Sequence, residues 1–187
     1  LKELGFEVFL LDLASSSSIK TAISELYQKT DSLYALINNG AYGQVGALED
    51  ISRETLEKQF QVNVFGWHEL TNLVLQSMKE RNIGRVIYIS SVLGFVAMPF
   101  RGPYVASKFA IEGLVDTLRL ELKQTKIKLS LVQPGPIESK FRQNAFLAFK
   151  ENVDSSNSDY QREYKAMIER LNSDKNAQFT LAPESVL

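Results

Sequence analysis

Short apolar, β-rich runs alternate along this chain with longer segments whose apolar residues recur at steps of three and four. Few folds accept that pattern. The runs are residues 6–13 (FEVFLLDL), 32–39 (SLYALINN), 85–90 (RVIYIS) and 127–132 (IKLSLV). Helical patterns fill the gaps. One opens after the hydroxyl run Ser15 to Ser18 and continues to Lys29; a second runs from Arg53 to Glu80 behind a Ser52 cap; a third runs from Pro103 to Gln124, with proline at its first position. Strands joined by helices in this way predict an α/β fold, a doubly wound parallel sheet with helices on both faces. In such sheets ligands lie at the carboxyl ends of the strands.

The 187 residues suffice for one domain with a sizeable core, and 44% hydrophobic with 23% charged residues is ordinary for a globular protein. A net charge of -1 without a basic block argues against nucleic acid or an anionic membrane surface as partner. The absence of cysteine excludes disulfides and thiol catalysis within this chain, and a single histidine excludes a multi-histidine metal site. With no long apolar run and no signal peptide, the default location is cytoplasmic. The chain opens on Leu1 rather than methionine and closes on what reads as the first turn of a helix, so the expectation is an internal piece of a longer protein.

The residues that carry chemistry collect at strand ends. The run 85–90 delivers Ser91, and thirteen residues later a helix opens with Tyr104 and Lys108 four apart on one face. A free phenol ionises near pH ~10, and a neighbouring fixed positive charge favours the phenolate, so Lys108 is expected to lower the pKa of Tyr104 toward neutral. A phenol tuned in that way can give or take a proton, with Ser91 holding a carbonyl oxygen beside it. In the long helix Leu56, Phe60, Asn63, Trp67, Leu70, Val74 and Met78 form one stripe, of which Asn63 is the only polar member. A buried amide needs partners; a structural asparagine and one serving a polar site both fit. His68 lies off the stripe and receives no chemistry.

Along the Pro103 helix, Ala106, Phe109, Ala110, Gly113 and Thr117 make a second face, open to a neighbouring subunit or to packing within the chain. After Val132 the turn Gln133-Pro134-Gly135-Pro136-Ile137-Glu138-Ser139 makes Ser139 available to a ligand. From Phe141 the sequence is aromatic and polar by turns. Residues 140–180 are read as a substrate-lid region or as a surface helical hairpin.

Five elements together resemble the classical short-chain dehydrogenase/reductase family, and among its members the retinol- and hydroxysteroid-dehydrogenase-like ones. They are Asn38-Asn39-Gly40-Ala41, Asn63, Ile89-Ser90-Ser91, Tyr104-Val105-Ala106-Ser107-Lys108 and Pro134-Gly135-Pro136-Ile137-Glu138-Ser139, in order over nearly the whole chain. The resemblance implies a Rossmann-like dinucleotide-binding domain over residues 1–187. It implies Tyr104 as general acid or base, Lys108 as the group that tunes it and bonds the nicotinamide ribose, and Ser91 as the residue that orients the substrate oxygen. Asn63 would complete a tetrad through a water leading from Lys108 to solvent. Asp12, with Leu13 beside it, would meet the adenine. Asn39 would lie beside the adenosine ribose, with Gly40 and Ala41 also binding the cofactor. Pro134 and Gly135 would shape the nicotinamide pocket, with Ile137 and Ser139 at the carboxamide. NADP or NAD is the implied cofactor, with a lean to NADP, and a homodimer or homotetramer is the implied assembly.

Two departures stand out. The family's Asn-Asn-Ala-Gly is Asn-Asn-Gly-Ala here; a left-handed backbone at position 41 would cost Ala41 on the order of 1 kcal/mol. No glycine-rich phosphate loop occurs. The first two strands and first helix of the family fold are therefore read as absent. Residues 6–13 then have no neighbour, 32–39 become an exposed edge, and dinucleotide binding by this piece is expected to be poor. The function implied is alcohol–carbonyl interconversion, with residues 95–100 lining one wall around a small apolar substrate. The competing reading is a catalytically silent dinucleotide-binding or interaction protein on the same fold; the complete Ser91, Tyr104, Lys108 and Asn63 set speaks against it. An epimerase or dehydratase of the extended relatives shares Tyr-x-x-x-Lys, but the 38–41 element favours the classical branch.

Overall fold

A computed structural model describes residues 2–172 and 179–186 of the chain. Residues 173–178 of the expected lid region, and both chain ends, lie outside the described residues. Three strands, β1 (Ala35–Asn38), β2 (Gly84–Ile89) and β3 (Ile127–Val132), form a parallel sheet in the order β1-β2-β3. Ala35 pairs with Arg85, and Gly84 pairs with Ile127, so all three carboxyl ends emerge on one edge. Each strand appears where its apolar run stands in the sequence.

The run 6–13 is the exception. It forms no strand, and Phe6, Val8, Leu10 and Leu11 are exposed. A strand is stabilised by the ladder it joins, and among the described residues nothing pairs with this one. The neighbouring edge is open as expected, with Ile37 of β1 58% exposed.

Helix α1 (Ser16–Tyr27) begins where the Ser15 side chain accepts a hydrogen bond from the Ser18 amide. Ser52 caps α2 (Arg53–Phe60) in the same way through the Thr55 amide. The long helix expected from Arg53 to Glu80 is interrupted. Between α2 and α3 (Trp67–Arg81) the backbone widens into a π-type turn over Gln61–Gly66, with Asn63 inside it. Such single π turns shift the register of side chains and concentrate at functional positions.

Helix α4 (Gly102–Glu121) buries Lys108, Ile111 and Val115 against the sheet. The principal core gathers Trp67, Val74, Leu75 and Met78 of α3, Val86 and Tyr88 of β2, and Ile111, Val115 and Leu122 around α4. On the opposite face of α4, Ala106, Phe109, Gly113 and Thr117 are exposed, while Ala110 packs against the principal core.

A second core forms around α5 (Phe141–Asn152) and α6 (Gln161–Asn172). Ala145, Phe149, Tyr164 and Leu171 pack there against Val45 and Ala47 of the loop after β1.

Candidate active site

Beyond the carboxyl ends of the strands lies a cleft of about 930 Å³. Ser91 reaches it from the end of β2, Tyr104 and Lys108 from the first turns of α4, Asn39 and Ala41 from the end of β1, and residues 134–139 from the end of β3. The fourth wall is α5, through Phe141 and Phe146. Residues far apart in sequence meet because parallel pairing stacks all the strand ends on one side of the sheet.

Ser91 follows β2 with extended backbone, and its Oγ accepts the Leu93 amide at 3.1 Å, fixing the turn that follows. Tyr104 lies edge-on to the Phe141 ring at 5.2 Å. Gly43 makes that contact possible, since a Cβ there would stand 2.6 Å from Phe141 Cζ.

Burial pushes the Tyr104 phenol above its ordinary pKa, while a hydrogen bond from Ser91 works in the opposite direction. The sequence led us to expect a phenol lowered by Lys108, and the structure reverses that. Lys108 is 1% exposed, and its Nζ donates to the Ile89 carbonyl at 2.8 Å, turned toward β2. It stands 4.3 Å above the Trp67 ring and 5.5 Å from the Tyr104 centroid. Burial lowers the ammonium itself from 10.5 to about 7, with Glu112 opposing. An ammonium that ionises at about 7 is only partly charged at neutral pH, which weakens its hold on its neighbour's proton.

Asn63 is fully buried but does not line the cleft. Its Oδ1 accepts the Tyr42 amide at 3.2 Å, and its Nδ2 donates to the Tyr42 carbonyl at 2.9 Å and to Ser107 Oγ at 3.1 Å. The amide thus ties the loop after β1 to α4, the partners a buried asparagine requires.

Asp12, Leu13 and Gly40 also lie outside the cleft. Asp12 is exposed, and its Oδ1 accepts the Ala14 amide at 2.9 Å. Leu13 sits against the long helix at Gly66, where a Cβ would come 2.2 Å from its carbonyl oxygen. Gly40 accepts the Trp67 indole N–H at 2.8 Å through its carbonyl. Ala41 is outside the left-handed region, so the exchanged Gly-Ala order carries no backbone cost. Pro134, Gly135, Ile137 and Ser139 all line the cleft, and Ser139 Oγ also accepts the Phe141 amide at 3.3 Å at the start of α5.

Of residues 95–100, only Met98 reaches the cleft wall. Phe95 and Val96 are more than half exposed, and Phe100, with φ of 60°, turns into the second core against Tyr160 and Tyr164. Sequence reasoning placed Phe141 in the lid region but missed its contact with Tyr104, and it missed the roles of Gly43, Gly66 and Trp67. A glycine inside a helical stripe costs about 1 kcal/mol against alanine, and that cost was the available sign of a close approach at Gly66.

It also missed Arg101. That residue lines the cleft near Tyr104, and its guanidinium is pushed down by burial and then by Arg170 and Arg142.

A parallel Rossmann-like sheet with Ser91, Tyr104 and Lys108 gathered at the strand ends defines an α/β protein with its cleft at the carboxyl edge of the sheet. The family profile described as short chain dehydrogenase matches residues 1–148, and the chain belongs to that family. It is 39% identical over 188 residues to the uncharacterized oxidoreductase YbbO of Escherichia coli (strain K12), covering 100% of this chain and 64% of that protein. It is 39% identical over 131 residues to retinol dehydrogenase 8 of Homo sapiens, covering 70% of this chain and 41% of that one. Among solved structures, a short chain dehydrogenase/reductase from Burkholderia phymatum in complex with NAD superposes with a TM-score of 0.75 at 20% identity, over 89% of this chain and 61% of that one. The chain thus spans less than two thirds of these relatives.

The residues present fit the nicotinamide end of a dinucleotide. At about 930 Å³ the cleft has room for such a ring, and a Cβ on Gly135 would meet nothing within 4 Å, so the approach past β3 is clear there.

Proposed function

We propose that the chain carries the catalytic centre of a NAD(P)-dependent oxidoreductase that interconverts an alcohol and a carbonyl on an apolar substrate. The observation that carries this reading is the convergence of Ser91, Tyr104 and Lys108 in one cleft at the strand ends. When bound, a nicotinamide dinucleotide supplies or accepts the hydride. Asn39, Ala41, Pro134, Gly135, Ile137 and Ser139 would hold it, and Lys108 would meet its ribose.

The protein's own part is the proton. Tyr104 stays protonated at neutral pH because of its burial, so in the reducing direction it donates from its hydroxyl to the carbonyl oxygen. The Ser91 hydroxyl, hydrogen-bonded to the same phenol, orients that oxygen. Asn63, holding the Tyr42 loop against α4, would serve the proton path from Lys108.

Helices α5 and α6 supply Phe141, Phe146 and Leu171 to the wall, which supports their reading as a substrate-covering region. The exposed second face of α4 supports a homo-oligomer. NADP is read as the preferred cofactor, from the resemblance to retinol-dehydrogenase-like members.

The test follows nicotinamide absorbance in the full-length protein, with NADPH and NADH side by side and a panel of apolar aldehydes and ketones. Tyr104→Phe is expected to lower kcat by roughly 10²- to 10⁴-fold with its fold intact. Turnover that survives loss of the phenol refutes the assignment. Dinucleotide binding without turnover across the panel supports the silent binding protein instead.

A further inference from the structure

One charged side chain beside the site is not absorbed by this reading. Glu112 lies one helical turn beyond Lys108 on α4, on the same face. Its Oε2 accepts Gln133 Nε2 at 2.8 Å, immediately before Pro134 at the end of β3. Its other oxygen is buried beneath the turn that follows Ser91: a Cβ on Gly94 would stand 2.9 Å from Oε1 and 3.0 Å from Cγ. Ser90 Oγ lies 3.0 Å from that same point. Neither Oε1 nor Ser90 Oγ has a hydrogen-bond partner among the described residues. A carboxylate oxygen held in such a place is costly unless its charge is used.

The groups facing Lys108 are Tyr104 and Glu112 on its own helix, the Trp67 ring from α3 and the Ile89 carbonyl from β2. Of these, Glu112 bears the negative charge. The same carboxylate sits where two strand ends meet, since the Val92 amide donates to the Pro134 carbonyl at 3.1 Å and the Ser90 amide to the Val132 carbonyl at 2.8 Å.

We propose that Glu112 is a positioning residue whose carboxylate supplies the counter-charge for Lys108 and, packed beneath the Ser91 turn, ties α4 to the end of β3 through Gln133. A side chain at Gly94 would push this carboxylate out of place. This inference rests on the reading of Tyr104 and Lys108 as the reacting pair, and it assigns to that pair a partner outside the cleft.

The test is NMR titration of the Lys108 side chain in the full-length protein labelled at lysine, alongside the pH profile of kcat/KM. Glu112→Gln keeps the size and the Gln133 contact but removes the charge. It is expected to move the Lys108 ionisation, which lies at about 7, to lower pH by about one pH unit. The limb of the pH profile that reports Lys108 should follow it, while a merely structural role would lower thermal stability and leave both in place. Glu112→Asp should restore the ionisation. Gln133→Leu should impair turnover without moving it. An unmoved Lys108 ionisation in Glu112→Gln overturns the proposal even where turnover depends on Tyr104. A moved ionisation in a protein that turns over no substrate supports it and refutes the oxidoreductase reading instead. Should Glu112→Gln not fold, Gly94→Ala, which displaces the carboxylate, takes its place with the same expected direction, and no movement there overturns the proposal.

Discussion

The two cores of this protein are built on different physics. The principal core is a strand ladder backed by a nearly unbroken apolar wall, with Trp67, Val74, Met78 and Val86 fully buried. The second core joins two short helices to a loop, and polar side chains make the joints. The Tyr164 hydroxyl accepts the Ala47 amide at 2.8 Å and donates to Asp50, which also accepts Ser158 Oγ at 2.6 Å. Asn152 donates to Gln44 at 3.1 Å, and Gln59 accepts the Gln44 amide at 2.7 Å. Aromatic edges complete it, with Tyr164 at 5.0 Å from Phe149. The cleft lies between the two, with Ser91, Tyr104 and Lys108 on the sheet side and part of its wall on the polar-jointed side.

The largest expected effect comes from breaking the first core. Trp67→Ala removes a fully buried ring, the cation–π contact with Lys108 and the hydrogen bond to Gly40, and should destabilise by about 3–5 kcal/mol in urea unfolding. Turnover should fall with it, because the displaced lysine belongs to the proposed catalytic set. Tyr164→Phe should cost less, about 1–3 kcal/mol, since it leaves Asp50 and the Ala47 amide short of a partner. Its signature should differ as well, raising KM more than it lowers kcat. Equal losses of kcat in the two variants would erase the distinction between the regions.

A pH series probes the cost of burying Lys108. Between about 7 and 10.5 the unfolded chain holds this proton and the folded protein does not. The unfolded state therefore binds more protons, and stability climbs as pH rises through that window; below about 7 the penalty is complete. Lys108→Met should flatten the slope and gain most stability near pH 6, measured by urea unfolding. A slope unchanged in that variant would place its origin elsewhere. The smallest effect is expected at Ser52→Ala, which removes the cap of α2 outside both cores and should cost about 1 kcal/mol.

Much of this was written in the sequence because it depends on local rules. Apolar runs with helices between them specify parallel strands, and Ser15 and Ser52 mark helix starts by offering an oxygen to an amide three residues on. Tyr104 and Lys108 share a face by helical spacing alone. The run 6–13 shows the limit of such rules: it reads as a strand, yet a strand exists only where a ladder receives it.

Tertiary structure alone decided the electrostatics and the contents of the cleft. Spacing placed Lys108 near Tyr104, but only packing turned its ammonium to the Ile89 carbonyl and buried both groups, so that dehydration rather than mutual charge governs their protons. Asn63 was legible as an anomaly in an apolar stripe, whereas its partners Tyr42 and Ser107 come from other elements. Residues 95–100 looked like a pocket wall, yet Phe100 belongs to the second core and Phe141 stands against the phenol instead. Periodicity records which face of an element is apolar. Which other element covers that face, and how much water it leaves, is set by contacts between residues distant in the chain.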